Sequence, residues 1–219
     1  ACNYDETATE DDGSCEYEVD CAGECGGSAE VDDCGVCDNI PENDCVTLEF
    51  ELKEGANLVS FWALPADTYI SNIFSSLGEN VVMILGESIS ASYNPDEDYW
   101  EGSLWYIDSD TGYWIVVNSD VTLTLEEAIP LESDMLYSIH PYNNLISFPV
   151  EGAVSLSDGM SDNSGDGGII LVSNGNTVAF YNGYSWEGSL TYFEGGKGYW
   201  VRSESSFDMV YNLSNYIDK

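Results

Sequence analysis

The first 45 residues of the chain concentrate the side chains that could do chemistry. They hold fifteen Asp or Glu, no Lys or Arg, and all seven cysteines of the chain. Calcium prefers roughly six to eight oxygen ligands on short loops, and glycine permits the tight turns that such loops need. The sequence therefore predicts calcium as a cofactor of this leader. The candidate ligands are Asn3, Asp5, Glu10, Asp11, Asp12, Asp20, Asp32, Asp33, Asp38 and Asn39.

The cysteines predict a disulfide framework. They are Cys2, Cys15, Cys21, Cys25, Cys34, Cys37 and Cys45. Disulfides clamp small segments that have little hydrophobic core, and they persist in oxidising compartments, so the framework predicts export. Zinc at Cys34-Gly-Val-Cys37 is a weaker alternative, since no second such pair or histidine pair accompanies it. Because seven is odd, one cysteine is expected to stay free or to pair outside the chain.

The charge of the chain restricts its partners. Forty-one acidic residues face four basic ones, for a formal net charge of −37. Such a field repels nucleic-acid phosphates and anionic lipid headgroups and attracts cations. No apolar run reaches the roughly eighteen residues needed to span a bilayer, so neither nucleic-acid binding nor membrane insertion is expected. A halophile-like solubility surface is the alternative explanation of the charge.

The remaining chain contains an internal duplication. Three blocks occur twice in the same order, 86 or 87 positions apart. The pairs are Asn57–Phe61 with Asn144–Phe148, Trp100–Leu104 with Trp186–Leu190, and Gly112–Trp114 with Gly198–Trp200. Duplication of this kind is typical of tandem structural modules. We therefore divide the chain into a leader at 1–47, one module at 48–130 and a second module at 131–219.

Each copy contains short runs of β-branched and aromatic residues between turn-forming residues, which predicts strands. The predicted strands are 57–63, 81–85, 112–117 and 121–125 in the first copy, and 145–150, 169–172, 177–181, 199–202 and 207–213 in the second. Residues 118–120 are predicted to close a hairpin. The predicted fold is mainly β: a disulfide-rich calcium-loop leader and two tandem modules that resemble sandwiches or barrels.

One short helix is predicted in the first module. Asp67 or Thr68 can cap it, and Gly78 can end it. Its apolar face comprises Ile70, Ile73, Phe74 and Leu77. At the matching place in the second module, the polar run 157–168 predicts a loop instead.

The leader resembles a known kind of repeat. The likeness rests on Ala1-Cys-Asn-Tyr-Asp5, Glu10-Asp-Asp-Gly-Ser-Cys15, Asp20-Cys-Ala-Gly-Glu-Cys-Gly-Gly27 and Asp33-Cys-Gly-Val-Cys37. These blocks resemble Cys/Asp-rich repeats of large secreted surface proteins of aquatic Bacteroidota, which are similar to thrombospondin type 3 calcium repeats. The Gly-Tyr-Trp modules look like uncharacterised modules of the same proteins. The resemblance implies an extracellular, calcium-binding, structural or adhesive role, and it does not imply a reaction.

The family's Gly-Cys before the Ala-Cys-Asn-Tyr stretch is missing here, which favours a processed chain or a fragment of a longer protein.

Catalysis is not expected. The only histidine, His140, precedes a proline, and neither module offers a cysteine nucleophile or a Gly-x-Ser-x-Gly elbow.

Two functions of different classes fit these observations. In the first, the chain is an extracellular structural protein, a subunit or stalk of a calcium-stabilised surface fibre or matrix. It would self-associate through β-edge contacts, with Tyr211–Ile217 as an added strand. In the second, it is an adhesive module that binds a glycan or a surface protein through exposed aromatic side chains. The candidate ligand-binding residues are Tyr99, Trp100, Tyr184 and Trp186, whereas the tryptophans of the Gly-Tyr-Trp blocks are assigned to the core.

Overall fold

The computed structural model describes residues 2, 18–31, 34–39, 44–163 and 168–217. Over these ranges the chain is mainly β, with antiparallel strands in several sheets and only short helical segments. The predicted fold class is confirmed, and none of the described sheets closes into a barrel.

The leader is held together by disulfides. Its strands β1 (Glu30–Val31) and β2 (Cys37–Asp38) form a small antiparallel ladder. In the described part of the chain three disulfides are formed, and they are Cys2–Cys25, Cys21–Cys37 and Cys34–Cys45. The predicted framework is confirmed for these six residues, whereas Cys15 lies outside the described ranges. The zinc alternative is wrong, because both cysteines of its Cys-x-x-Cys motif are bonded to other cysteines.

The first module, residues 46–130, contains two sheets. Its elements are β3 (Val46–Leu52), β4 (Gly55–Val59), β5 (Ala63–Leu64), α1 (Ile70–Ile73), a 3-10 helix (Ser75–Asn80), β6 (Val81–Leu85), β7 (Ser90–Asn94), β8 (Tyr99–Gly102), β9 (Tyr113–Val117) and β10 (Val121–Pro130). One antiparallel sheet has the order β4-β9-β6-β7-β8, and the other has the order β3-β10-β5. Buried apolar side chains from both sheets form one core.

The strand β9 shows how this core is built. Its residues alternate between the two faces of the sheet, and Tyr113, Ile115 and Val117 are buried. The predicted hairpin at 118–120 is wrong, because β9 pairs with β4 and β6 whereas β10 pairs with β3 and β5. Residues 118–120 instead carry the chain from one sheet to the other. Alternation alone could not separate these two arrangements, since both strands bury one face in the same core.

The predicted helix is present as α1 and the 3-10 helix. All four residues of its expected apolar face are buried, and they are Ile70, Ile73, Phe74 and Leu77. The predicted cap at Asp67 or Thr68 is wrong, because the N-cap residue of α1 is Tyr69, and it makes no side-chain cap. The amide of Tyr69 donates to Asp67 Oδ1 (3.0 Å). Gly78 adopts a positive φ of 53° within the 3-10 segment, a conformation that glycine adopts without strain.

The second module, residues 131–217, repeats this architecture. Its elements are β11 (Tyr137–Ile139), β12 (Tyr142–Ile146), β13 (Ala153–Ser155), α2 (Leu156–Gly159), β14 (Ile169–Ser173), β15 (Val178–Tyr181), β16 (Trp186–Gly188), β17 (Tyr192–Glu194), β18 (Tyr199–Ser203) and β19 (Phe207–Met209). The order β12-β18-β14-β15-β16 matches that of the first module, and a register irregularity recurs in β14 where β6 has one. The pair β11–β19 stands where the first module has β3–β10. A second buried cluster fills its core.

Two expectations for the second module are wrong. The helical turn is retained as α2, because Ser155 caps it by accepting from the amide of Asp158 (3.1 Å). The C-terminal segment is not a free strand. The amide of Gly152 donates to the Tyr216 hydroxyl (2.8 Å), and Ile217 forms a bridge with Ala153. The C-terminal segment therefore pairs with its own module.

Candidate binding cleft at the module junction

The repeated blocks meet where the two modules touch. The amide of Ser60 in the first module donates to the carbonyl of Gly196 in the second (3.2 Å). The amide of Ser147, the counterpart of Ser60, donates to the carbonyl of Asp110 (3.0 Å). Asp110 and Gly196 are counterparts too, since each lies two residues before its Gly-Tyr-Trp block. The serine amide of each module thus donates to the equivalent carbonyl of the other module, so the contacts are reciprocal, as in a two-fold symmetric dimer.

The two serine side chains strengthen this junction. Both are fully buried. Ser60 Oγ donates to the carbonyl of Lys197 (2.7 Å) and accepts from the amide of Phe148 (3.2 Å). Ser147 Oγ donates to the carbonyl of Ser109 (2.7 Å). The hydroxyls therefore satisfy buried backbone groups of the opposite module, which would be costly to leave unpaired.

Two glycines lie at the centre of the junction. A Cβ atom at Gly112 would lie 3.2 Å from the Cα of Gly198 and 3.0 Å from the carbonyl oxygen of Ile146. A Cβ atom at Gly198 would lie 2.7 Å from the carbonyl oxygen of Val59. The glycine of the Gly-Tyr-Trp block is needed because the two backbones approach each other so closely.

The tyrosine of the same block is buried, and its hydroxyl accepts a hydrogen bond from a backbone amide. The amide of Asp108 donates to the Tyr113 hydroxyl (2.8 Å), and the amide of Glu194 donates to the Tyr199 hydroxyl at the same distance. Burial raises the pKa of both tyrosines, which keeps them neutral. The block therefore places its tyrosines in the cores, whereas its tryptophans, Trp114 and Trp200, are half-buried on the opposite face of each sheet. The prediction that these tryptophans belong to the core is wrong.

The asparagine of the first repeated block holds the turn that precedes the block. Asn57 accepts from the amide of Lys53 (2.9 Å) and donates to its carbonyl (2.7 Å). Asn144 exchanges the same two bonds with the backbone of His140, both at 2.8 Å. These bonds fix the turn at which the chain leaves one sheet and enters the other, so a cleft opens at the corner between β3 and β4 and between β11 and β12.

The two corner clefts differ greatly in size. The one between β3 and β4, which we name the open cleft, has a volume of ≈ 800 Å³. The one between β11 and β12, the closed cleft, has ≈ 90 Å³. Both are lined by equivalent strands and by loops of the opposite module. Side chains at non-repeated positions must therefore cause the difference.

In the closed cleft, Glu87 from the loop between β6 and β7 fills the space. Its Oε1 lies 2.6 Å from His140 Nε2, and its Oε2 accepts from the amide of Leu145 (2.9 Å). The carbonyl of Pro141 and the Glu87 carboxylate raise the pKa of His140. An ion pair with a backbone hydrogen bond thus closes this corner.

The open cleft has neither a glutamate nor a histidine at the positions equivalent to Glu87 and His140. The strand pairings place Gly175 at the position of Glu87, so no side chain enters the cleft there. A Cβ atom at Gly175 would lie 2.8 Å from Trp114 Cη2, so the loop packs against the tryptophan instead. Lys53 stands where the second module has His140, and its ammonium group pairs with Asp120 (3.0 Å). Within the described ranges, no ion pair like that of Glu87 and His140 therefore closes the open cleft.

The lining of the open cleft combines aromatic and polar groups. Trp62 and Trp114 line the cleft and are half-buried, and Phe50 packs beside Gly196. The carboxylates of the cleft are Glu49, Glu51 and Glu151, and its neutral polar residues include Asn176 and Thr177. Its one lysine, Lys197, already pairs with Glu194 (2.7 Å). Aromatic walls with a few polar groups are typical of ligand-binding clefts.

The four aromatic residues predicted from the sequence to bind a ligand do not line this cleft. Tyr99 is 47% exposed and Tyr184 is 94% exposed, as a surface role requires. Trp100 is 6% exposed and packs in the core against Tyr93 (5.2 Å between ring centroids), so its assignment to an exposed edge is wrong. Trp186 is half-buried, and its indole N–H is enclosed without an acceptor in the described residues.

A different exposed aromatic group lies on the first module. The rings of Tyr69 and Trp105 are stacked with centroids 6.2 Å apart, and Tyr106 contacts Tyr69 edge-on at 5.4 Å. Trp105 is 36% exposed and Tyr106 is 58% exposed. None of these three residues lines the open cleft.

A second large groove, of ≈ 810 Å³, lies between the leader and the first module. Cys34 and Cys45 form part of its wall. Residues 32–33 and 40–43, which are next to these cysteines in sequence, lie outside the described ranges.

Most of the predicted calcium ligands also lie outside the described ranges. They are Asn3, Asp5, Glu10, Asp11, Asp12, Asp32 and Asp33. Of the others, Asp20 accepts from the amides of Glu24 (2.8 Å) and Ala29 (3.2 Å), and the first of these bonds contributes most to lowering its pKa. Asp38 and Asn39 lie on or next to β2. The described residues contain no group of three or more acidic, histidine or cysteine side chains that could hold an ion.

Among the described helices, none is long and apolar enough to cross a membrane. Comparison of the chain with protein-family models, with curated proteins and with solved structures gives no match. A proposal for its function therefore rests on the geometry of the chain itself.

Proposed function

We propose that this chain is a non-catalytic, extracellular adhesive module that holds its ligand in the open cleft. The observation that carries the proposal is the difference between the two corner clefts. The same repeated scaffold is closed by Glu87 and His140 in one copy, whereas Trp62 and Trp114 line it in the other. Half-exposed tryptophans are enriched at interfaces because they offer a large apolar surface at small entropic cost.

Other properties support a non-catalytic role outside the cell. The only histidine of the chain is engaged with Glu87, and neither module contains a cysteine. The disulfides of the leader are compatible with an oxidising compartment. Reciprocal contacts between the modules would keep the walls of the cleft fixed relative to each other, which reduces the entropic cost of binding.

A matched pair of variants tests the proposal. Immobilised polysaccharides and extracellular proteins would be incubated with the wild type, with Trp114→Ala and with Trp200→Ala. Trp200 is the counterpart of Trp114 but lies outside the open cleft. At least one ligand should bind the wild type and Trp200→Ala and lose binding to Trp114→Ala. No binding at all, or equal binding by all three proteins, would contradict the proposal.

A second candidate function is a structural subunit of a calcium-stabilised fibre or matrix. It is favoured by an apolar patch on the second module, where Val178 (44% exposed) and Phe180 (49% exposed) stand in place of Ser90 and Ser92 of the first module. Light scattering of the non-reduced chain in millimolar calcium and then in EDTA tests this role. Large particles that dissociate in EDTA and are absent in a Val178→Ser, Phe180→Ser variant would support it, and a monomer in both conditions would reject it.

A further inference from the structure

We propose that the ligand of the open cleft is an uncharged polysaccharide chain. This inference rests on the proposed function and adds to it the chemical class of the ligand. It follows from three properties of the cleft: its aromatic walls, its surplus of hydrogen-bond acceptors and its charge.

The aromatic walls suit the faces of sugar rings. Trp62, Trp114 and Phe50 all line the cleft, and the two tryptophans are half-exposed. The face of an aromatic ring carries a partial negative charge, which attracts the C–H bonds on the face of a pyranose. A purely apolar ligand would not match this cleft, because Glu49, Glu51 and other polar groups line it as well.

The acceptors suit sugar hydroxyl groups. Glu49, Glu51 and Glu151 line the cleft and are exposed, and Glu51 Oε1 also accepts from the Thr122 hydroxyl (3.0 Å). Exposed carboxylates can accept further hydrogen bonds without a large desolvation penalty. Asn176 adds a side chain that both donates and accepts, whereas the Thr177 hydroxyl already donates to Asn174 Oδ1 (2.9 Å) and can only accept. A polysaccharide offers many hydroxyl donors along its length, which matches a cleft with more acceptors than donors.

The charge of the cleft disfavours acidic polysaccharides. Three carboxylates face one lysine, and that lysine is paired with Glu194 at 2.7 Å. The net charge of the chain, −37, adds a repulsive field for any anionic ligand.

On the β4 side of the cleft, the backbone disfavours an added peptide strand. Val59 at the end of β4 forms a bridge with Lys197, and the amide of Ser60 donates to Gly196. The amide of Lys53 is occupied by Asn57. Recognition of an extended peptide by strand addition needs a free edge of this kind. The edge of β4 is thus partly used, whereas side chains around the cleft remain accessible.

Calorimetry with defined oligosaccharides tests the inference on the full, non-reduced chain. The neutral probes are cellohexaose, mannohexaose and laminarihexaose, and the acidic probes are hexasaccharides of alginate and polygalacturonate. At least one neutral probe should bind, and the acidic probes should not. Trp62→Ala and Trp114→Ala should each weaken binding by about tenfold, the equivalent of one lost aromatic contact.

Control variants keep the test independent of folding defects. Trp200→Ala and Trp105→Ala should change the affinity less than about twofold, since neither residue lines the cleft. Ala56→Arg places a long side chain in the cleft from an exposed position of β4, so it should abolish binding without disturbing a core. Circular dichroism would establish that each variant is folded.

The possible outcomes separate the two proposals. If no neutral sugar binds but a lysine-rich peptide or a surface protein does, and Ala56→Arg abolishes that binding, the ligand class is wrong and the proposed function stands. If neutral sugars bind and Trp105→Ala removes the binding, the site is the stack on the first module and this inference is overturned. If nothing binds in a way that depends on the cleft, both proposals fail.

Discussion

The corner between β3 and β4 and the corner between β11 and β12 are built from the same repeated residues, yet one is open and the other is closed. Repeated asparagine, serine, glycine and tyrosine residues form the turn, the junction and the core in both copies. The difference arises at positions that the duplication did not preserve, where Glu87 faces His140 in one copy and Gly175 and Lys53 stand in the other. In this molecule the repeated residues specify the architecture, and changes at unrepeated positions leave one corner open, where the unrepeated Trp62 and the repeated Trp114 line the cleft.

The central glycines should show the largest effect. Gly198→Ala should lower the free energy of unfolding by about 2–3 kcal/mol, because the new Cβ would lie 2.7 Å from the carbonyl oxygen of Val59. Gly112→Ala should cost about 1 kcal/mol, since its closest contact is 3.0 Å. Urea unfolding of both variants measures the difference. Ala56→Val, at an exposed position of β4, is the control. Equal stability of all three proteins would show that the modules do not pack together as described.

The two buried serines should come next. Ser60→Ala leaves the amide of Phe148 without its acceptor and should cost about 1–2 kcal/mol of unfolding free energy. Ser147→Ala should cost a similar amount, because the Tyr137 hydroxyl lies 3.0 Å from the Ser147 hydroxyl in a buried site. Thermal unfolding measures both, with the exposed Ser138→Ala as the control. A large loss of stability for only one of the two serine variants would contradict the equivalence of the two serines at the junction.

A third pair of variants addresses strain in the two corner turns. Gly55 has a φ of 98°, and its counterpart Tyr142 adopts 80° with an exposed side chain. Tyr142→Gly should stabilise the chain by about 0.5–1 kcal/mol, since relief of left-handed strain outweighs the greater freedom of glycine in the unfolded state. Gly55→Ala should destabilise it by about 1 kcal/mol, through strain alone. The comparison fails if both changes have the same sign in denaturant unfolding.

The smallest effect concerns the pH dependence of the closed cleft. The pKa of His140 is raised in the folded state, so its pairing with Glu87 contributes fully below about pH 6.5 and is lost as pH rises through the folded pKa. Because the ring is 54% exposed, the contribution should be only about 0.5 kcal/mol. The stability difference between the wild type and Glu87→Gln should therefore shrink from pH 6 to pH 9. A difference that grows with pH would contradict the assigned pairing.

Much of the architecture could be predicted from the sequence because it depends on local patterns. The period-two burial of β9, the apolar face of α1 and the clustered cysteines all have signals within a few residues. The pairing of strands has no such signal, because β9 and β10 alternate equally well as a hairpin or as strands of two sheets. The turn of α2 escapes prediction because the polar run that follows Ser155 hides a good N-cap.

The candidate site is harder to predict. Trp100 follows a polar loop, which favours an exposed position, but its place on β8 points it into the core. Trp62 carries no repeat signal, since the second copy has proline at its counterpart Pro149. That asymmetry is the one available clue. The cleft arises from long-range packing of two modules, which no local pattern encodes.

Tryptophan indole signals in a nuclear magnetic resonance titration test the central claim most directly. The chain has six tryptophans, so their N–H signals can be assigned by single substitutions. With the tightest-binding neutral hexasaccharide, we predict that the signals of Trp62 and Trp114 shift and that the signal of Trp200 does not. Shifts confined to Trp105 or Trp186, or no shifts at saturating sugar, would contradict the assignment of the open cleft as the binding site.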